Sequence, residues 1–191
     1  MELSTILIIL LLTASFGLYS VINTNKVLTK KTLKKYKVIV NFPYKPSVFQ
    51  KTRMKYRELI FQDSAALDFE NVGVYLNVCS LTVFDFDKDS FDIKQAEIIL
   101  LSRVFLVDIN GKSIKEVIHD GKIKISGIEG REIETFAVND DGNDLYIKCW
   151  VFIRGNIGYL VKQIVVIEAG SEVSYDKEFF SSFVFYAKAT K

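Results

Sequence analysis

Two strand-like runs of apolar residues, joined at Gly155-Asn156, dominate the second half of the chain. Together they extend from Asp144 to Ile167 and read DLYIKCWVFIRGNIGYLVKQIVVI. A Gly-Asn pair between two such runs predicts a two-residue β-hairpin, because glycine adopts the positive φ that a type II′ turn requires. One face of this hairpin is aliphatic and the other is aromatic with a polar middle, so we expect other parts of the chain to cover both faces.

The length of the turn determines which residues face one another across the hairpin. Pairing of Arg154 with Ile157 predicts four cross-strand pairs on the aromatic face: Phe152 with Tyr159, Trp150 with Val161, Lys148 with Gln163, and Tyr146 with Val165. A preceding strand that turns back at 139–143 would bring Glu134 opposite Lys148. The resulting row of Glu134, Lys148 and Gln163 is either a site that recognises a polar ligand or a cross-strand ion pair on a solvated part of the sheet.

The remaining periodicity predicts further strands and one long helix. Apolar runs and alternation predict strands at 36–42, 55–62, 72–83, 113–118, 122–125 and 131–138. Apolar residues at helical spacing predict a helix over 93–107, and we expect a shorter helix over 175–182, followed by a return to the sheet edge at 183–185. The predicted fold class is α+β, with a central antiparallel β-sheet flanked by helices and an apolar N-terminal helix.

The segment from Leu3 to Ile22 is uncharged and, at roughly 20 residues, long enough to span a bilayer core as a helix. It indicates a signal anchor or a signal peptide over residues 1–22, followed by a basic linker at 23–35 and a folded domain at 36–191. The expected partner of this segment is the membrane. The expected location is membrane-anchored or exported, in the cell envelope or periplasm, while the lysines after the segment leave a cytoplasmic-facing orientation open.

Charge is distributed unevenly along the 191 residues, although the net charge is only +2. There is no acidic residue between Glu2 and Glu58, whereas the chain from Glu58 onward is net acidic. Because the basic stretch directly follows an apolar segment, it favours a juxtamembrane role over nucleic-acid binding. With 49% hydrophobic residues, the chain has enough apolar surface to bury a core, which excludes a disordered protein.

Candidate catalytic chemistry is sparse. His119 is the only histidine, and no serine or cysteine lies in a nucleophile motif such as GxSxG. We therefore expect no enzymatic activity, no catalytic residues and no cofactor. Cys79 and Cys149 fall within predicted strands, where they form either two buried thiols or a disulfide.

The acidic run from Asp85 to Asp92 resembles the start of a calcium-binding loop, with acids at alternate positions. Ser90 replaces the glycine that such a loop needs, and Ala96 replaces the closing glutamate. The alternative interpretation is that Asp89 caps the following helix. We favour the helix cap and predict no metal site.

Several short motifs occur together in a recognisable order. They are Tyr36-x-Val38 through Phe42-Pro43-x-x-Pro46, Gly127-x-x-Gly130-Arg131-Glu132, Gly155-Asn-x-x-Tyr159, and Phe179-Phe180-Ser181-Ser182-Phe183. In this order and spacing, residues 36–186 resemble the PsbP-like α/β/α sandwich domains, as in small exported bacterial proteins of unknown function. The resemblance implies a central antiparallel sheet flanked by helices and a non-enzymatic role as an accessory or binding module, without specifying a partner.

Two functional hypotheses follow. The first is a non-enzymatic, membrane-tethered or exported accessory domain that binds an unknown protein partner and no nucleic acid. The alternative is a carrier of small apolar ligands that uses the aromatic sheet face around Trp150, Phe152 and Tyr159. The candidate ligand- or partner-binding residues are those of the polar row and of this aromatic group: Glu134, Lys148, Gln163, Trp150, Phe152 and Tyr159.

Overall fold

The computed structural model of the protein describes residues 28–43, 45–53, 56–64, 77–105, 113–138, 142–167 and 177–186. Strands account for 66% of these residues and helices for 15%, so the described part of the protein is mainly β. It contains two sheets, in which every pair of neighbouring strands is antiparallel, and two helices.

The smaller sheet has three strands: β1 (Thr29–Leu33), β2 (Val38–Phe42) and β10 (Val184–Phe185), with β2 in the middle. The larger sheet has seven strands: β3 (Ser47–Thr52), β4 (Tyr56–Ser64), β5 (Asn77–Phe86), β6 (Ser113–Ile125), β7 (Ile128–Val138), β8 (Asp144–Arg154) and β9 (Ile157–Ile167). Their spatial order is β3-β4-β5-β9-β8-β7-β6, so β3 and β6 are its two edges. The helices are α1 (Ile93–Phe105) and α2 (Lys177–Ser182).

The hairpin of β8 and β9 forms with the predicted register. Arg154 pairs with Ile157, and Gly155 in the turn has a φ of 62°, a value that glycine adopts without steric cost. The preceding strand, β7, also has the predicted register, with Glu134 opposite Lys148. Since β5 and β7 flank the hairpin on its two sides, its predicted central position in an antiparallel sheet is confirmed.

Helix α1 covers the aliphatic face of the larger sheet. Its apolar residues Ala96, Leu100 and Val104 are buried in one cluster with residues of the strands below: Leu145, Ile147, Cys149, Val151, Leu160 and Ile164. A Cβ atom added at Gly158 of β9 would lie 2.8 Å from Leu100 Cδ1, so the helix rests directly on the strand backbone at this point. The helix predicted over 93–107 therefore has the covering role expected of it.

Polar contacts near both ends position α1. At its start, Asp92 Oδ1 accepts a hydrogen bond from the backbone N–H of Lys94 at 2.9 Å, so Asp92 is the helix cap and the prediction of Asp89 was wrong. Near its end, Arg103 Nη2 donates a hydrogen bond to Glu58 Oε1 at 2.7 Å. Glu58 is buried, and this ion pair ties the helix to β4.

The smaller sheet and α2 cover the aromatic face. Seven residues from these elements and the chain beside them are buried against Trp150, Phe152 and Tyr159: Val38, Val40, Phe42, Phe179, Phe180, Phe183 and Phe185. A hydrogen bond at 2.8 Å from the backbone N–H of Asn41 to Ser182 Oγ connects β2 with the end of α2. The cover of this face is therefore assembled from chain segments that are far apart in sequence.

The predicted α+β fold with helices flanking the sheet is wrong. Within the described ranges, a long helix covers only the aliphatic face, while the aromatic face carries a three-stranded sheet with the six-residue α2. Strand β1 lies in the segment predicted to be a linker, and its sequence TKKTL has no apolar alternation. It forms because β2 supplies a partner backbone along its whole length, which shows that pairing decides strand formation where side-chain pattern does not. The predicted apolar N-terminal helix lies outside the described residues.

The predicted location also requires correction. Within the ranges that the structure describes, neither helix has the length and apolar character needed to cross a membrane. The segment from Leu3 to Ile22, on which membrane attachment and export were predicted, lies outside those ranges.

Candidate functional site

The predicted polar row is part of a buried ionic cluster. Lys148 Nζ donates a hydrogen bond to Glu134 Oε1 at 2.6 Å and lies 3.2 Å from Glu132 Oε2. The Glu132 carboxylate also accepts a hydrogen bond from Trp150 Nε1. The exposed fraction of the side chain is 6% for Lys148, 22% for Glu132 and 20% for Glu134, and Gln163 on the next strand is fully buried. The ammonium group is therefore enclosed, while the two carboxylates reach the protein surface.

Strands β7 and β8 and helix α2 position the charged centre of this cluster. Side chains two residues apart on a strand share a face, so Glu132 and Glu134 on β7 lie side by side, opposite Trp150 and Lys148 on β8. Phe180 of α2 closes the cluster, with the centre of its ring 5.7 Å from Lys148 Nζ. This distance is within the range of a cation–π interaction, which favours the charged form of the lysine.

The surroundings of Glu134 and Lys148 favour the charged form of each. Burial alone would raise the pKa of Glu134, but hydrogen bonds from Lys148 and Tyr146 outweigh burial and lower that pKa. Burial would lower the pKa of Lys148, but its bonds to Glu134 and Glu132 outweigh burial and raise it. Both pKa values move away from neutral pH, whereas a general acid or base works best with a pKa near the operating pH. The cluster is suited to holding fixed charges rather than to transferring protons.

Sequence reasoning missed two members of the cluster. Glu132 lies two residues before Glu134 on β7, on the same face of the strand. The predicted register, extended by one cross-strand pair, places Glu132 opposite Trp150. His119 lies on the neighbouring edge strand β6 and is half-exposed, with its Nε2 atom 3.7 Å from Glu132 Oε1. The cluster thus extends from the sheet interior to the edge formed by β6.

The predicted aromatic ligand face is filled by the protein's own side chains. Trp150, Phe152 and Tyr159 are all buried. Each contacts a ring from the covering layer: Trp150 lies tilted to Phe180 at 4.9 Å between ring centres, Phe152 stacks on Phe183 at 5.6 Å, and Tyr159 packs edge-on against Phe185 at 5.0 Å. The Tyr159 hydroxyl donates a hydrogen bond to the Tyr36 carbonyl at 2.8 Å, and burial raises the pKa of Tyr159 to about 12. The geometry makes these residues part of the hydrophobic core.

A groove with a volume of about 790 Å³ lies on the aliphatic side of the sheet. Helix α1 packs mainly on β8 and β9, and the groove lies beside it, over β6 and β7, where the described residues form no helix. Its lining combines buried or half-buried apolar side chains with exposed charged ones: Leu101, Val151 and Ile153 with Glu97, Lys122 and Lys124. The groove therefore has an apolar floor and a charged rim. The helix side carries the acid Glu97, and the strand side carries charges of both signs: Lys122, Lys124, Arg131, Asp120 and Glu129.

Two charged residues of the groove, Asp120 and Arg131, form an ion pair with each other. The Arg131 guanidinium donates two hydrogen bonds to the carboxylate of Asp120, which lower the pKa of Asp120 and raise that of Arg131. Beside it, Gly130 has no room for a side chain, because an added Cβ atom would lie 2.3 Å from the Phe152 ring. The wall of the groove formed by β7 is thus fixed by an ion pair and by close backbone packing.

Other candidate chemistry is accounted for by structural contacts. The described ranges contain no group of three or more His, Cys, Asp or Glu side chains arranged to hold a metal ion. In the acidic run, Asp85 forms an ion pair with Lys35 at 2.6 Å, and Asp92 caps α1. Cys79 and Cys149 are buried in different clusters on opposite faces of the sheet, so they do not form a disulfide. Burial raises the pKa of Cys149 to about 12, which makes its thiolate scarce at neutral pH.

Comparison with known proteins gives little further information. No family model matches the chain, and no curated protein matches it. The chain is similar to the crystal structure of the protein of unknown function PA94 from Pseudomonas aeruginosa, at 11% sequence identity and a TM-score of 0.31, with 72% of this chain and 82% of that chain covered. Similarity at this level supports no conclusion about function.

Proposed function

We propose that this protein is a non-enzymatic protein-binding domain and that the groove beside α1 accepts an amphipathic segment of its partner. The observation that supports the proposal is the groove itself, with its volume of about 790 Å³. Binding pockets typically have volumes of roughly 300–1,000 Å³ and combine apolar walls with a few polar groups that fix orientation. The groove agrees with this description in both size and chemistry.

The lining of the groove indicates the chemistry of the partner. Leu101, Val151 and Ile153 would contact apolar side chains of the bound segment and remove them from water. Glu97 on the helix side and Lys124 on the strand side would pair with a cation and an anion, respectively. A segment with one apolar side and charges of both signs on its flanks satisfies these requirements.

The ionic cluster on the other side of the sheet supports binding over catalysis. Lys148 and Glu134 hydrogen-bond to each other, and their pKa values are shifted away from neutrality. Turnover of a substrate in a broad hydrolase screen, lost in Glu134→Gln, would contradict the non-enzymatic part of the proposal.

Photo-crosslinking from within the groove tests the proposal. Ile93, which is 56% exposed and lines the groove, is replaced by p-benzoylphenylalanine in the cells that produce the protein. Ile98 provides a matched control, because it is 67% exposed on the same helix and does not line the groove. We expect a defined crosslinked protein from position 93 and none from position 98, identified by mass spectrometry.

Charge reversal at the rim provides the second measurement. With the crosslinked protein in purified form, Lys124→Glu should weaken its binding about tenfold, since an attractive contact becomes repulsive. Equal crosslinking at positions 93 and 98, or no crosslinking at position 93, would contradict the proposal.

The carrier of small apolar ligands is the alternative function, and no observation favours it. Phe180 and Phe183 occupy the space over Trp150 and Phe152 that a ligand would need. Fluorescence of Trp150, the single tryptophan, should therefore stay unchanged across a panel of lipids and metabolites. A saturable change with one ligand would favour the carrier.

The PsbP-like family assignment also stays a prediction.

A further inference from the structure

Strand β3 is an exposed edge of the larger sheet. Among the described residues it pairs only with β4, and all six of its residues are exposed. Val48 and Phe49 are 52% and 51% exposed and, as sequence neighbours, lie on opposite faces of the strand. Apolar side chains exposed along a sheet edge are unusual, because such an edge is a template on which another strand can form.

The backbone groups available at this edge follow from the hydrogen bonds to β4. The backbone N–H of Arg53 donates to the Tyr56 carbonyl at 2.9 Å, which makes this a hydrogen-bonded pair of the antiparallel ladder. Hydrogen-bonded and non-hydrogen-bonded pairs alternate along such a ladder. The N–H and C=O groups of Val48, Gln50 and Thr52 therefore point away from β4, toward the open side of the edge.

The opposite edge of the same sheet is built differently. The pairing of β6 with β7 shifts twice, between Ile114 and Glu116 and between Val117 and His119. Such irregular pairing twists an edge and prevents another strand from continuing the ladder. In contrast, β3 pairs with β4 in an uninterrupted register from Ser47 to its last residue. One edge is thus protected, whereas the other is regular and accessible.

The surroundings of β3 are basic. The chain has no acidic residue from position 3 to position 57, and the exposed side chains of Lys45, Arg53 and Arg57 lie just before and after the strand. Asp85, opposite Arg57 on β5, already accepts a hydrogen bond from Lys35 at 2.6 Å. A second copy of this edge would be repelled by the same cations, whereas an acidic strand would be attracted.

We propose that β3 is the docking edge for an extended acidic segment of a partner protein, which adds to the larger sheet as a further strand. The backbone of the added segment would hydrogen-bond to the outward N–H and C=O groups of Val48, Gln50 and Thr52. The apolar side chains of the segment would contact those of Val48 and Phe49. Its carboxylates would lie near Arg53 and Arg57. In this mode of recognition, main-chain hydrogen bonds supply affinity and the side chains supply selectivity. The edge is separate from the groove beside α1 and goes beyond the function proposed for that groove.

A defined peptide serves as the probe. The full chain is titrated into a short fluorescein-labelled peptide in which Val-Val pairs alternate with Glu-Glu pairs, so that each face of the added strand carries both residue types. Binding is followed by fluorescence anisotropy. The matched control peptide has lysine in place of every glutamate. We expect saturable binding of the glutamate peptide, at least about tenfold weaker binding of the lysine peptide, and a loss of affinity as salt is added.

Variants of the edge separate strand addition from simple charge attraction. Gln50→Pro removes an outward N–H group, and proline is tolerated on an edge strand where that group faces solvent. We expect it to weaken binding about tenfold, because one main-chain bond is lost and the ring obstructs the incoming strand. Gln50→Thr keeps the N–H group and should bind like the unmodified protein. Reversing both arginines, with Arg53→Glu and Arg57→Glu, should invert the preference between the two peptides.

Several outcomes would overturn the proposal. Equal binding of the two peptides, binding of neither, or unchanged affinity in Gln50→Pro would each do so, provided that circular dichroism shows the variants to be folded. If inorganic tripolyphosphate at matched charge displaced the glutamate peptide, the edge would attract anions in general and strand addition would be contradicted. If analytical ultracentrifugation showed a dimer that the Gln50→Pro substitution dissociates, the strand that pairs with β3 would come from a second copy of this chain. Crosslinking from Ile93 is independent of these results, so the two proposals fail separately.

Discussion

The two faces of the central hairpin are covered in different ways. The aliphatic face lies under one continuous helix, α1, which rests on the backbone at Gly158 and is tied to β4 by the ion pair of Arg103 with Glu58. The aromatic face lies under β2, α2 and β10, and it encloses the charge of Lys148. Helix α1 is one continuous segment, whereas the aromatic cover requires distant segments to be in place together. Because the aromatic face also encloses a charge, we expect single substitutions to cost more there.

Truncation of a ring in the aromatic cover should have the largest effect. Phe180→Ala removes a buried ring that packs on Trp150 and lies over the Lys148 ammonium group. The free energy of unfolding should fall by about 4 kcal/mol, the usual cost of replacing a buried phenylalanine by alanine. Urea denaturation measures the loss. Phe49→Ala, at a half-exposed position, is the control and should cost about 0.5 kcal/mol. Similar losses in the two variants would show that the cover contributes little.

Removal of the enclosed cation should have the next largest effect. Lys148→Met leaves two carboxylates close together without their partner, which should cost about 3 kcal/mol, as is typical when one side of a buried ion pair is deleted. Lys115→Met is the matched control, because the ion pair of Lys115 with Asp144 has a similar length but is exposed on both sides. It should change the free energy of unfolding by at most about 0.5 kcal/mol. A loss of that size in Lys148→Met would mean that water screens the cluster.

The corresponding change on the aliphatic face should be milder. Arg103→Met also leaves a buried carboxylate, that of Glu58, without its ion-pair partner. One-fifth of the Arg103 side chain is exposed, however, so water can reach the site. We expect a loss of about 2 kcal/mol, measured by thermal and urea unfolding alongside Lys148→Met. If Arg103→Met proved the more costly of the two, the ordering of the faces would be reversed.

The smallest effect concerns the dependence of stability on pH. Because the pKa of Glu134 is lowered in the folded protein, its stabilising contribution is fully present above the ordinary value of 4.5 and is lost as pH falls through the lower, folded value. Glu134→Gln removes this dependence. On acidification below about pH 4.5, the free energy of unfolding should therefore decrease more steeply for the unmodified protein than for the variant. Parallel curves for the two proteins would refute the assignment.

Local pattern was sufficient to predict the central hairpin, because a two-residue turn permits only one register. The position of Glu134 opposite Lys148 followed from the length of the preceding loop in the same way. The helix predicted over 93–107 is observed at Ile93–Phe105, since its apolar spacing has one interpretation. By contrast, the two strands predicted at 113–118 and 122–125 are a single strand, because Gly121 continues the pairing with β7 instead of turning.

Long-range pairing explains what the sequence could not predict. Strand β10 has only two residues, too few for any pattern, and it forms against β2, more than a hundred residues away. Strands β1 and β3 are largely polar or exposed and depend on their neighbours' backbones. The sequence predicted that Glu134, Lys148 and Gln163 lie side by side. It did not predict that Lys148 is buried, because its burial depends on Phe180 of α2. The groove depends on where α1 crosses the sheet, which no local pattern specifies.

The late position of α2 and β10 has a consequence for the protein during its synthesis. The ribosome completes all seven strands of the larger sheet before it makes residues 177–185. Until those residues emerge, the rings of Trp150, Phe152 and Tyr159 lack the phenylalanines that cover them. Until then, the nascent chain presents a patch of aromatic surface, and such surface promotes aggregation or recruits chaperones. The aromatic face can close only after residues 177–185 have been made.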